Sequence, residues 1–140
     1  MRTLVEQEIR ELHAFFRAWY RGTIEDTDSA FSRVEKVLAS EFTLITSDGY
    51  TMPREQLLPL LRGEHAQRPE IEMRVDQIEL RLVSGEIVDG GIALVTYQEH
   101  GVTANGARST LISALLRVNP DTPNGLEWVH IHEVGLPGSN

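Results

Sequence analysis

The sequence predicts an α+β fold in which N-terminal helices cover one face of a mostly antiparallel sheet, and three observations carry that expectation. Apolar residues recur at three-and-four spacing through Val5, Ile9, Leu12, Phe16 and Trp19, as in a helix with one buried face. Beyond Pro69 the pattern changes to long β-type runs. Those runs are divided by Ser84-Gly85 and Asn105-Gly106, turn-forming pairs suited to short antiparallel connections.

The elements follow in order. Thr3 and Glu6 have the spacing of a capping box for helix one, which should run to about Arg21 and end at Gly22. Glu25, Asp26, Thr27 and Asp28 offer N-caps for a second helix bearing Phe31, Val34 and Leu38, expected to stop near Ser40. Phe42 to Ser47 reads as a short strand before the Asp48-Gly49 turn. Thr51 and Pro53 can begin a third helix reaching His65, with Pro59 shortening or kinking it. Strands are expected over 71–83, 86–100, 108–118 and 127–134, joined as a meander.

A chain of 140 residues fits a single domain, 1–140, with one core. Thirteen basic against twenty-one acidic residues give a net charge of -8, which disfavours nucleic acid and anionic membranes as partners. No cysteine is present, so disulfides, thiolate chemistry and Cys-ligated zinc are excluded. The N-terminal stretch has no uninterrupted apolar run of signal-peptide or membrane-span type, so a cytoplasmic protein is the default expectation.

This element order resembles the NTF2-like (cystatin-like) cone of the SnoaL-like and ketosteroid-isomerase-like families. The final hairpin is sharper: Leu116-Arg117-Val118, a turn, and then Trp128-Val129-His130-Ile131-His132-Glu133-Val134-Gly135-Leu136-Pro137. It resembles the association domain of calcium/calmodulin-dependent protein kinase II and its DUF4440-type relatives. The resemblance implies three helices packed on a strongly curved sheet, self-association into a homodimer or higher homo-oligomer, and a pocket inside the cone. It places pocket positions that are arginines in those relatives at Tyr97, Arg117 and Glu133.

Alternation along a strand puts Trp128, His130 and His132 on one face and Val129, Ile131 and Glu133 on the other. The β-branched pair suits the core, so the tryptophan and the histidines are expected on the outer, interface-forming surface. A metal site needs three or four ligands, of which H-x-H supplies two; no metal or cofactor is expected. Inside the cone, Arg117 and Glu133 are expected to pair, because an isolated buried charge is strongly unfavourable. Trp19 and Tyr20 end helix one near where such cones open and are candidates to wall the pocket, with a core role favoured for Trp19.

Three functions compete. One is an oligomerising module whose cone holds a small organic molecule. The second is an isomerase-, cyclase- or dehydratase-like enzyme in which Glu133 moves a proton beside a carbonyl and Tyr97 polarises the oxygen. The third is a structural dimer with a filled cone. A Glu133 locked to Arg117 would be a poor base, whereas one facing an apolar cavity would be a plausible one, and the sequence favours the locked state.

Overall fold

A computed structural model describes residues 1–85 and 90–137. Helix α1 (Arg2–Arg21) buries Val5, Ile9, Leu12 and Trp19, the predicted stripe. Its first turn closes on the Met1 carbonyl, which accepts from Val5 N at 2.9 Å, so Thr3 lies within the helix and makes no cap. Gly22 ends α1 in the left-handed region at φ 76°, where glycine carries no steric cost. A Cβ on Gly22 would lie 2.6 Å from that of Ala66, so the glycine also lets the chain after α3 pack against the helix end.

Helix α2 (Asp28–Glu35) is capped by Thr27, whose Oγ1 accepts from Ala30 N at 3.1 Å. The helix does not reach Ser40. Leu38 already pairs with Trp128, and the Val37 carbonyl accepts Trp128 N at 2.6 Å, so sheet pairing takes over from helical spacing. Strand β1 (Leu38–Ile45) and the short β2 (Thr51–Pro53) form a hairpin across the Asp48-Gly49 turn. Residues 51–53 are therefore strand, and α3 (Arg54–Gly63) starts after Pro53 and accommodates Pro59 internally.

Strands β3 (Glu72–Ser84), β4 (Ile92–Thr103), β5 (Gly106–Val118) and β6 (Leu126–Gly135) form the expected antiparallel meander. The predicted beginning of the second of these, Glu86 to Asp89, lies outside the described residues. The sheet order is β2-β1-β6-β5-β4-β3, with β1 and β6 parallel and every other neighbour antiparallel. The core lies between helices and sheet, with Ile9, Leu12 and Val34 packed into the same cluster as Val95, Ala114 and Leu116. No helix among the described residues is long and apolar enough to cross a membrane.

One irregularity in β6 governs everything on that strand. Leu116 pairs with Trp128 but Leu115 pairs with His130, leaving Val129 as an extra residue. Such a bulge reverses the alternation beyond it. Leu126 and Trp128 are 1% and 0% exposed on the core side, and His130 and His132 still turn outward. Trp128 is thus a core residue, a correction to the expected interface. Its Nε1 donates to Glu8 Oε2 at 2.9 Å, and the fully buried Glu8 also accepts from Arg33 at 2.8 Å and Asn124 at 3.0 Å. That network satisfies a carboxylate that would be very costly to bury alone.

Candidate functional site

The inner face of the sheet and the helices enclose a cavity of about 890 Å³. Its two sides differ in chemistry. Leu12 and Phe16 of α1, with Leu57, Leu60 and Leu61 of α3, give an apolar wall, while β4, β5 and β6 contribute Tyr97, Glu99, Arg108, Thr110 and Glu133. Register explains the polar side: Tyr97 and Glu133 both pair with Ile112, and Glu99 pairs with Thr110, so these side chains share the concave face.

His13 of α1 meets this face. Its Nδ1 lies 2.9 Å from the Ile9 carbonyl, which can only accept, so Nδ1 carries a proton. Its Nε2 lies 2.9 Å from Glu99 Oε2 and 3.5 Å from the Tyr97 hydroxyl. Burial pushes the Glu99 carboxyl up, but the His13 hydrogen bond and the charges of His13, Arg108 and His100 outweigh it and hold Glu99 below its ordinary value. The 2.9 Å contact ties His13 Nε2 to the Glu99 carboxylate, so both ring nitrogens of His13 are engaged.

Glu133 behaves in the opposite way. Burial and the like charge of Glu99 raise its carboxyl above the ordinary value, more than Arg108 and His13 lower it. Neither an ion pair nor a hydrogen bond engages its side chain among the described residues. Burial, with Glu99 and Glu133 nearby, also holds the Tyr97 hydroxyl well above its usual value, so Tyr97 stays protonated.

The expected Arg117–Glu133 pair does not exist. Arg117 lies on the other side of β5, where it binds Glu127 and, through two nitrogens at 3.0 and 3.1 Å, Glu41. The reason is parity: Ile112, Ala114 and Leu116 are buried inward, which sends Arg117 outward. Trp19 takes the core role favoured for it over a place in the pocket wall. It is 0% exposed, donates from Nε1 to the Leu61 carbonyl at 2.7 Å, and packs on Phe31. It belongs to the core, whereas Tyr20 does line the cavity, with Arg68 4.8 Å over its ring.

Of the sequence candidates, the cavity therefore brings together Tyr97, Glu133 and Tyr20, and excludes Arg117 and Trp19. His130 and His132 keep their outer position, His130 within 2.8 Å of Thr43 Oγ1. Sequence reasoning missed His13, which sits on the helix face carrying Ile9 and Leu12; its proximity to the stripe was the available signal. Glu99 and His100 do fall on opposite faces, His100 bonding Asp76 and Ser109 at 2.8 and 2.6 Å. No cluster of three or more potential metal ligands occurs among the described residues.

A curved sheet wrapped on three helices around a cavity defines the chain as NTF2-like, and solved structures agree. An NTF2-like protein of unknown function from Pseudomonas aeruginosa is 26% identical with a TM-score of 0.81, over 95% of this chain and 98% of that one. The CaMKII hub of S. rosetta shares the fold at a TM-score of 0.68 and 12% identity, over 96% of this chain and 95% of the hub. Residues 5–137 match the model of the sucrose-6-phosphate phosphohydrolase C-terminal family, and the chain belongs to that family. Sucrose-phosphatase 1 of Nicotiana tabacum is 26% identical over 94% of this chain, which spans 31% of the length of that relative.

Proposed function

We infer that this domain binds a small organic molecule inside the cone and self-associates through the outer face of its sheet. The observation that carries the first half is the cavity: about 890 Å³, with polar groups gathered on one wall and leucines on the other. That volume falls within the range of ligand sites, roughly 300–1,000 Å³, and the distribution of groups is theirs. A filled structural cone would have needed side chains to occupy this space.

Support for self-association is chemical. Leu94 and Val134 are 38% and 49% exposed on the strands that carry His100, His130 and His132, so the outer surface presents apolar groups beside imidazoles. A hub domain is built on the same fold, which makes this surface a workable contact between copies.

The tobacco relative is named for a sugar phosphate ester, and a domain of this family forms part of a chain about three times as long. The cavity is a poor match to a phosphorylated sugar, because Glu99 and Glu133 would face the anion and leucines would face its hydroxyls. The fitting ligand class is uncharged or cationic with an apolar body. The test is native mass spectrometry of the purified domain, followed by a thermal-shift screen of uncharged, cationic and anionic small molecules. Ligand adducts or stabilisation that Tyr97→Phe and Glu133→Gln reduce support the reading; an absence of any stabilising compound counts against it.

A second reading has one specific observation in its favour. Glu133 is held above its ordinary carboxyl value with no ion-pair partner among the described residues, the state that suits a general base near neutral pH. With Tyr97 as hydrogen-bond donor to a carbonyl oxygen, the site would move a proton from the adjacent carbon. Deuterium uptake beside the carbonyl of a small cyclic ketone in heavy water, abolished by Glu133→Gln, would establish it. Uptake equal in both proteins would exclude it.

A further inference from the structure

We propose that the cavity selects an organic amine, a molecule with an apolar body and a terminal ammonium group that is bound by Glu133. This rests on the reading that the cone holds a ligand and assigns that ligand its chemistry. The polar side of the cavity carries two carboxylates, and the donors on that wall include the Thr110 hydroxyl and, at the rim, Arg108. Both ring nitrogens of His13 are already committed, Nδ1 to the Ile9 carbonyl at 2.9 Å and Nε2 to Glu99 at 2.9 Å. Glu133 has no hydrogen-bond donor of its own among the described residues, and the contact of Glu99 with His13 is made through Oε2. Tyr97 is 1% exposed, and its hydroxyl can accept as well as donate.

An ammonium group brings three donors and no acceptor, the complement of Glu133, Glu99 and the Tyr97 oxygen. A hydroxyl brings a single donor, and a carboxylate or phosphate brings none. Of the positive groups that act on these carboxylates, His13 is held by Glu99 at 2.9 Å and Arg108 is solvent-exposed at the cavity rim, where water screens it. The inner carboxylates are less screened and so dominate the field that a buried ligand head group meets. Opposite them, Leu12, Leu57 and Leu61 offer the apolar surface that an alkyl or aryl body covers.

The test uses dansylcadaverine and two analogues that keep its fluorophore and alkyl chain but end in a hydroxyl or a carboxylate. Affinities are measured by fluorescence titration at neutral pH. We expect the amine to bind about tenfold or more tightly than the hydroxyl analogue, the scale of a charge-assisted hydrogen bond set. The carboxylate analogue should be weakest. Glu133→Gln should erase the preference for the amine, and Glu133→Asp should keep part of it. Equal or tighter binding of the hydroxyl or carboxylate analogue, or a preference that survives in Glu133→Gln, overturns the proposal. Failure of all three probes to bind overturns the ligand-cavity reading itself, which distinguishes the two failures.

Discussion

Two glutamates look into one cavity and are pushed in opposite directions, because Glu99 has an imidazole in contact, whereas for Glu133 burial and a like-charged neighbour outweigh the more distant charges of Arg108 and His13. Each direction has a consequence for stability. Glu99 has a folded-state value below its unfolded one, so its contribution is fully present above about pH 4.3 and is lost as pH falls through the lower folded value. Glu99→Gln should therefore cost about 1–3 kcal/mol near neutral pH, with the difference shrinking in acid, as urea unfolding at several pH values would show. Glu133 has the raised value, so its ionisation opposes folding above the unfolded value, and Glu133→Gln should raise the melting temperature at neutral pH. A fall in melting temperature would reveal a partner for Glu133 that the geometry does not contain.

At the scale of elements, the bulge in β6 decides which residues are core and which are surface. Simple alternation reads Trp128 onto the face of His130 and His132, and only the pairing of Leu116 with Trp128 and of Leu115 with His130 shows otherwise. A bulge depends on how the neighbouring strand pairs, which a single strand's pattern does not carry. The order of helices and strands was legible because it rests on local spacing and turn residues. The parity of Ile131 and Glu133 was legible for the same reason. The His13–Glu99 contact was not, since it joins residues 86 apart through a helix docking on a sheet. Arg117 was misplaced because its strand was read through relatives rather than through its own buried partners, Ala114 and Leu116. As a core residue, Trp128 should cost about 3–5 kcal/mol when changed to alanine, a drop of roughly ten degrees in melting temperature, and it should do so at any protein concentration. An interface residue would instead produce a stable monomer.

For the whole molecule, the fold separates two surfaces of the same sheet: a concave side holding Tyr97, Glu99 and Glu133, and an outer side holding Arg117, His130 and His132. Changes on one should leave the other untouched. His130→Glu is expected to weaken self-association, read by sedimentation velocity at micromolar concentration, without altering ligand affinity. Arg117→Ala, which removes the contacts to Glu41 and Glu127, should likewise leave the cavity's affinity unchanged. Loss of ligand binding in either variant would mean that the two faces are coupled.

The most direct measurement is an NMR titration of the glutamate side-chain carboxyl carbons against pH. Glu133 should titrate above the ordinary glutamate value and Glu99 below it, with Glu133 returning toward the ordinary value in Glu99→Gln, where the like charge is gone. A Glu133 that titrates at or below the ordinary range in the parent protein would mean that a cation already holds it, and the cavity would lose the free carboxylate on which its chemistry depends.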